Sequence, residues 1–187
     1  MLHQPYHYVM VDIETLATSA TIAPILEIAA VPFSPTEVFL KDHFYTPISY
    51  DDNIRLGRKI CKDTLIWWFQ QPRKPILNST VTALEAFTKL ARWAAEHTDK
   101  NTQWYCQGTS FDPVILGDFF DSLLIPTPWK YHQWNCCRTL QKHFSVKKPK
   151  PTTHHPIDDC LNQIASIQPL FTKATTDPGP MLWVASS

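Results

Sequence analysis

Apolar residues in the first quarter of the chain follow one another in short runs that are typical of strands. Residues 6–12 are rich in aromatic and β-branched side chains and predict a buried strand. Residues 25–33 and 38–45 predict a second and a third strand, with a turn at Ser34-Pro35-Thr36 between them. The pattern therefore predicts that the chain opens with an antiparallel meander of three strands.

Helical spacing of apolar residues becomes frequent after this meander. Residues 62–70 predict a short helix that stops before Pro72. Residues 79–97 repeat apolar side chains at helical intervals, and Ser79 or Thr80 is expected to cap the helix at its start. The second half of the chain is therefore expected to contribute helices that cover a sheet.

Strands and helices alternate in the remaining part of the chain. We expect a strand at 103–107 and then a helix that Ser110 caps and that runs to about 124. A strand at 129–132 and a helix at 135–144 follow. A last helix is expected to begin at Pro156 and to stop at Pro169. This order predicts an α/β domain with a mixed central sheet, whose first three strands are antiparallel and whose helices cover both faces.

The length of 187 residues suits one domain of ordinary size, which we assign to residues 1–173. Residues 174–187, with Asp-Pro-Gly-Pro at 177–180, predict a loosely ordered tail. Lys plus Arg equals Asp plus Glu at 17 each, so the net charge does not indicate a polyanionic partner. The nearest basic patch is Lys147, Lys148 and Lys150, where phosphate contact and a solvated loop are equally open.

The cysteine pattern favours a reducing compartment. The chain has five cysteines, an odd number, and no Cys-x-x-Cys pair, which predicts reduced and mostly buried thiols. Neither a basic segment followed by an apolar stretch at the N-terminus nor an apolar run of about 18 residues is present. We therefore expect a cytoplasmic protein with no membrane partner.

Three acidic clusters, far apart in sequence, are the candidate functional residues. Asp12 and Glu14 end the first predicted strand, Asp112 starts a helix, and Asp159 lies in the first turns of the last helix. Alternating side chains place Asp12 and Glu14 on one face of their strand. Carboxylates are the ligands that hard divalent cations prefer, and sites that cleave phosphodiesters use such cations. Taken alone, Asp112 is explained by favourable interaction with the helix dipole and needs no function.

A histidine accompanies the third cluster. His154 precedes Asp159 by five residues and straddles the start of the last helix, while His155 is its direct neighbour. An imidazole that titrates near pH 7 suits a general base that takes a proton from an attacking water. The choice of His154 over His155 depends on spacing alone.

These motifs together resemble the DEDDh branch of the DEDD 3′-5′ exonucleases, a superfamily with the RNase H-like fold whose last motif reads approximately His-x-Ala-x-x-Asp. Segments 66–71, 108–116 and 137–139, with Pro128-Trp129, resemble the exoribonuclease-like subgroup of phages, prophages and mycobacteria. The resemblance spans residues 6 to 170. Pro156 stands where the family usually has Ala, and a proline early in a helix is tolerated there.

The resemblance implies roles for particular residues. It makes Asp12, Glu14, Asp112 and Asp159 the carboxylates that bind two divalent cations, Mg²⁺ or Mn²⁺, and it makes His154 the general base. The implied function is removal of nucleotides from RNA or DNA 3′ ends, with RNA favoured, in the cytoplasm of a bacterium or a phage-infected cell. A homodimer is compatible with the resemblance.

Five further residues are candidates for substrate contact. By resemblance, Thr15 and Leu16 contact the 3′-terminal nucleotide, although both also fit ordinary loop positions. Trp67 and Trp68 either stack on bases or belong to the core. Arg138 either binds a phosphate or pairs with a carboxylate.

Two other functions compete with the nuclease. One is a catalytically silent member of the same fold that binds nucleic acid or a host protein. The other is a zinc site built from His154, His155, Cys160 and Cys61, which lacks the spacing of closed zinc sites.

Overall fold

The computed structural model describes residues 4–146 and 153–173. The elements in chain order are β1 (Tyr8–Thr15), β2 (Ile25–Phe33), β3 (Phe44–Pro47), α1 (Tyr50–Arg55), α2 (Lys62–Gln70), α3 (Ala83–His97), β4 (Gln103–Cys106), α4 (Asp112–Ser122), β5 (Trp134–Cys136), α5 (Cys137–His143) and α6 (Pro156–Lys173). The lysine-rich segment at 147–150 and the tail at 174–187 lie outside the described residues.

One five-stranded sheet organises the fold, with strand order β3-β2-β1-β4-β5. The first three strands pair antiparallel, whereas β4 runs parallel to β1 and β5 runs parallel to β4. A parallel neighbour requires a crossover connection, and the segment with α1, α2 and α3 supplies it between β3 and β4. The mixed sheet with an antiparallel first meander is therefore confirmed.

Alternation along β1 divides the core into two layers. Val9, Val11 and Ile13 point into a large apolar cluster with residues of α3 and α4, such as Phe87 and Phe119. Met10, from the alternate set of β1 side chains, packs with residues of β2, α5 and α6 in a second cluster on the other face. Both faces of the sheet are thus covered by helices, as the sequence predicts.

Two predicted strands were misplaced. Residues 38–45 do not form one strand, because Val38 makes only an isolated bridge to Phe33 and a short 3-10 turn at Leu40–Asp42 precedes β3. The strand expected at 129–132 lies instead at 134–136, where residues Trp134 to Cys136 pair with Trp104 to Cys106. Pairing with a distant strand, which local pattern does not reveal, decides both positions.

Helix ends also differ from the prediction. Thr82, rather than Ser79 or Thr80, caps α3, since its Oγ1 accepts a hydrogen bond from the amide of Glu85 at 3.2 Å. Ser110 does not cap α4; Phe111 occupies the cap position without a side-chain hydrogen bond. Pro169 does not end α6, which continues to Lys173. The residues after this proline, Leu170 and Phe171, pack on the apolar cluster, and this burial offsets the lost backbone hydrogen bond.

The short helix α1 is absent from the predicted elements. Ser49 caps it by accepting a hydrogen bond from the amide of Asp52, and its buried Asn53 bonds both the amide and the carbonyl of Ile25 in β2. These contacts, rather than an apolar repeat, stabilise it. Within residues 4–146 and 153–173, no helix has the length and apolar character that crossing a bilayer requires.

Candidate active site

The acidic clusters meet at one edge of the sheet. β1 and β4 are parallel, so their carboxyl ends lie side by side, and open α/β sheets bind ligands at such edges. Asp12 and Glu14 lie near the end of β1, Asp112 begins the helix that follows β4, and Asp159 lies in the first turn of α6. Asp12, Glu14, Asp112, His154 and Asp159 all line one cavity of about 940 Å³.

Local structure explains how the carboxylates come to face each other. Asp12 points toward α6, where the Gln163 side-chain amide donates a hydrogen bond to its Oδ1 at 2.8 Å. The Oδ1 of Asp159 accepts a hydrogen bond from the amide of Thr153 at 3.0 Å, which ties the start of α6 to the preceding loop. Glu14, Asp112 and Asp159 are each less than 9 % exposed. Burial of several carboxylates together demands a positive counter-charge.

His154, and not its neighbour, stands beside the acidic residues. Ligand atoms of Glu14, His154 and Asp159 lie within 4.8 Å of one another. The His154 ring meets Trp67 edge to face, with ring centroids 4.7 Å apart. The ring of His155 stacks on Tyr45 instead, at 5.6 Å. Of the two neighbouring histidines, His154 is therefore the one beside the predicted cation ligands. Its role as general base stays a prediction.

The electrostatics of the cavity reflect crowding of like charges. Burial, followed by repulsion from Asp159 and Glu27, raises the pKa of Glu14 to about 8. Burial raises the pKa of Asp112 to about 7, although hydrogen bonds from backbone amides and the charge of Arg138 oppose the shift. The pKa of Asp12 is also raised, by burial and by the charges of its acidic neighbours. Protons, or a cation in their place, therefore stabilise this cavity.

The donor set fits divalent cations. Four carboxylates and an imidazole supply oxygen and nitrogen ligands, and hard cations such as Mg²⁺ and Mn²⁺ favour carboxylate oxygens. Asp12, Glu14, Asp112 and Asp159 are the residues that would hold them. Cys160 is completely buried in the apolar cluster on the α6 face, so the alternative zinc set has no support from its placement.

The predicted substrate residues fall into two groups. Leu16 and Trp68 are 1 % and 2 % exposed and pack together in a small apolar cluster, and Trp68 donates its indole hydrogen bond to the carbonyl of Thr15. Trp68 therefore packs in the core, and its burial favours this role over base stacking. Trp67 and Arg138 are exposed and line the cavity, so both are accessible to a strand.

Sequence reasoning missed several polar residues around the site. Gln163 bonds Asp12, and Arg73 donates hydrogen bonds to Glu27 and to the carbonyl of His154. Gln107 donates a hydrogen bond to Gln141 at 3.2 Å in the same cavity. The available sequence signal was Glu27 itself, a carboxylate within a strand of nine otherwise mostly apolar residues, which requires a buried partner.

A divalent cation is expected to stabilise the protein more at pH 8 than at pH 5.5. The raised folded-state pKa values of Glu14 and Asp112 mean that the folded protein binds more protons than the unfolded chain between about pH 4 and 8. Their contribution to stability is complete below the unfolded pKa and is lost as the pH rises through the folded pKa. At pH 8 more of the carboxylates are charged and repel each other, so a bound cation removes more of this repulsion than at pH 5.5.

Thermal unfolding with 5 mM MnCl₂ or with EDTA measures this effect. We expect Mn²⁺ to raise Tm by about 5 to 10 °C at pH 8, as for a ligand near 100 times its Kd, and by clearly less at pH 5.5. An equal shift at both values would show that the cation binds away from these carboxylates.

Comparison with known proteins agrees with this geometry. Residues 7–170 match the family described as the 3′-5′ exoribonuclease Rv2179c-like domain. No match to a curated protein was found.

Among solved structures, E. coli exonuclease I with a dT13 oligonucleotide superposes with a TM-score of 0.68 at 12% identity, covering 90% of this chain and 42% of that one. The zinc-bound E. coli exonuclease I complex with single-stranded DNA gives 0.67 at 12% identity, with 92% and 42% covered. Cell-death related nuclease 4 gives 0.54 at 12% identity, with 90% and 65% covered.

The chain thus spans about 42% of the exonuclease I chains, and at this identity the likeness establishes the fold alone. That fold is the RNase H-like one predicted from the motifs. Since the family match extends over nearly all of the described residues and includes every acidic cluster, the chain belongs to the family of Rv2179c-like 3′-5′ exoribonuclease domains.

Proposed function

We propose that this domain is a metal-dependent 3′-5′ exonuclease that hydrolyses the terminal phosphodiester bond of RNA, with DNA as a second substrate. The observation that carries the proposal is the convergence of four carboxylates and His154 in one cavity at the carboxyl edge of the sheet. Membership of the DEDDh branch and of the subgroup found in phages belongs to the same proposal, as do a cytoplasmic setting and a homodimeric assembly.

Each residue has a distinct part in the proposed reaction. Two Mg²⁺ or Mn²⁺ ions, when bound, would neutralise the phosphate and stabilise charge on the attacking and leaving oxygens. The residues that would hold these ions are Asp12, Glu14, Asp112 and Asp159. His154 accepts a proton from the attacking water through a ring nitrogen. Burial lowers the pKa of His154 despite the opposing charge of Asp159, and this shift favours the neutral ring that can accept a proton.

The rim of the cavity suits a single strand. Trp67 is 39% exposed beside His154 and offers an aromatic edge or face to a terminal base. Arg138 lies on another element that lines the cavity, α5, and its charge lowers the pKa of Asp112. The guanidinium of Arg138 can bind a phosphate. Exonuclease I was solved with single-stranded DNA, and we extend that substrate form, a free single-stranded 3′ end, to this chain.

Degradation of labelled oligonucleotides tests the proposal. The purified chain is incubated with 5′-labelled RNA and DNA, single-stranded or with a 3′ overhang, in Mn²⁺, in Mg²⁺ and in EDTA. We expect a ladder that shortens one nucleotide at a time from the 3′ end, faster on RNA, and no product in EDTA.

Substrates with a 3′-terminal phosphate or a labelled 3′ nucleotide distinguish exonuclease from endonuclease cleavage. Full activity in EDTA would overturn the metal mechanism. Strand binding without any product in either cation would favour the catalytically silent alternative.

A further inference from the structure

A further buried carboxylate lies beside the acidic cluster of the active site. Glu27 in β2 pairs in register with Glu14 in β1, and it is completely buried. A buried carboxylate requires a charged or hydrogen-bonding partner, because its desolvation costs several kcal/mol. Glu27 has three such partners, of which the amide of Ile76 is the most distant at 3.5 Å. The Tyr45 hydroxyl donates to its Oε2 at 2.8 Å, and Nη2 of Arg73 donates to its two oxygens at 2.8 and 2.6 Å.

Arg73 connects this carboxylate to the histidine of the active site. It lies in the segment after α2, and its Nη1 donates a hydrogen bond to the main-chain carbonyl of His154. A single guanidinium therefore joins β2 to the loop that precedes α6. Its planar, fixed fork of donors makes such a two-element contact directional, which a lysine ammonium does not reproduce.

The backbone of His154 is in a conformation that needs support. Its φ is +56°, in the left-handed region that is disfavoured for a non-glycine residue. Such conformations persist where the surrounding structure imposes them. The carbonyl held by Arg73 belongs to this residue, so the contact acts on the peptide that determines where the imidazole points.

We propose that Arg73 is a positioning residue: by bonding Glu27 and the His154 carbonyl together, it holds the His154 imidazole in place beside Glu14 and Asp159. The proposal rests on the proposed role of His154 in the exonuclease reaction. The competing explanation is that Arg73 serves only to neutralise the buried Glu27. The two explanations predict different kcat values for the variant in which both Arg73 and Glu27 lose their charge.

A double-mutant cycle separates these explanations. The variants are Arg73→Met, Glu27→Gln, the two together, His154→Ala, and Arg73→Met with His154→Ala. Arg55→Met is the matched control, because Arg55 is exposed on α1 and makes only a 3.9 Å ion pair with Asp52. Each variant is assayed for kcat and KM on single-stranded RNA in Mn²⁺, and for Tm in EDTA.

Arg73→Met is expected to lower kcat roughly 10- to 100-fold, as misplacement of a catalytic group by about 1 Å does, with KM within about threefold of wild type. In the His154→Ala background the same substitution should change kcat by less than about twofold, because both act through one imidazole. Adding Glu27→Gln to Arg73→Met should restore Tm without restoring kcat. Arg55→Met should match wild type in all three quantities.

Recovery of kcat in the variant with both Arg73→Met and Glu27→Gln would overturn the proposal, since Arg73 would then only balance a charge. An equal loss with and without His154 would overturn it as well. If variants with Met at position 73 do not fold, Arg73→Lys in the wild-type and His154→Ala backgrounds repeats the cycle with the charge on Glu27 retained. Failure of the proposed function is distinguishable, because wild type itself would then release no product.

Discussion

Replacement of Asp159 by Asn is expected to lower kcat by about 10³-fold or more, a loss of roughly 4 kcal/mol of transition-state stabilisation. Asp159 is 6% exposed, faces Glu14 and His154, and belongs to the set that would hold the cations. Asparagine keeps the shape, and its Oδ1 can still accept the hydrogen bond from the Thr153 amide. The variant therefore removes the charge and leaves the local structure in place.

Asp158→Asn is the matched control, since Asp158 is adjacent, exposed and outside the cavity lining. Its kcat should stay within about twofold of wild type, as expected for a surface change. Thermal unfolding in EDTA is the companion measurement. Asp159→Asn should be no less stable than wild type at pH 8, because one of several repelling carboxylates has been neutralised. Equal activity of the two variants would contradict the assignment of Asp159 as a cation ligand.

Replacement of His154 by Ala is expected to lower kcat about 10²- to 10⁴-fold, the usual contribution of a general base, with a smaller change in KM. With Mn²⁺ kept saturating at every pH, so that protonation of Glu14 and Asp112 does not limit the rate, the acidic limb of the pH profile of kcat that reports the imidazole should also disappear. In wild type that limb falls as the imidazole becomes protonated, and because burial lowers the pKa of His154, the limb should lie below the usual histidine range.

His155→Gln provides the control for this substitution. His155 is the chain neighbour of His154, but its ring stacks on Tyr45. We expect the His155 variant to keep the acidic limb and most of its activity. If the His155 variant lost the acidic limb and the His154 variant kept it, His155 would be the general base. If both variants kept the acidic limb, neither residue would be the base.

The repulsion among the carboxylates connects these predictions to the stability of the protein. Asp12, Glu14 and Asp112 all have raised pKa values because burial and neighbouring negative charges disfavour their ionised forms. Positioning this charge before the cation arrives costs folding free energy at neutral and higher pH. A site of this kind is expected to be stabilised by its cation, and substitutions that remove a carboxylate should stabilise the metal-free protein while abolishing activity.

Local pattern was sufficient for the order of strands and helices and for part of the acidic site, although not for the positions of β3 and β5. The apolar run of β2 has the predicted bounds, 25–33, because every residue of that strand is buried and the run ends at a turn. Asp12 and Glu14 share one face because strand side chains alternate. The carboxyl ends of β1 and β4 lie together because the two strands are parallel, so the first two clusters meet at one edge. The bounds of β2 and the shared face of Asp12 and Glu14 follow from periodicity, whereas the parallel pairing of β1 with β4 is a contact between distant strands.

Tertiary contacts decided what periodicity leaves open. Trp67 and Trp68 are neighbours in one helix, yet packing against Leu16 and Leu26 buries Trp68 and leaves Trp67 at the cavity. Spacing was the one sequence signal that favoured His154 over His155, whereas the fold places His154 beside Glu14 and the ring of His155 on Tyr45.

The same limit applies to Arg73 and Glu27, which are 46 residues apart and make their ion pair only in the folded chain. A sequence specifies which side chains can pair, and burial then selects among them. The amino-acid sequence thus determined the strand pattern, the helical repeats and the chemistry of the clusters. The three-dimensional packing determined which of two adjacent residues lies at the cavity, because that placement depends on contacts between residues remote in the chain.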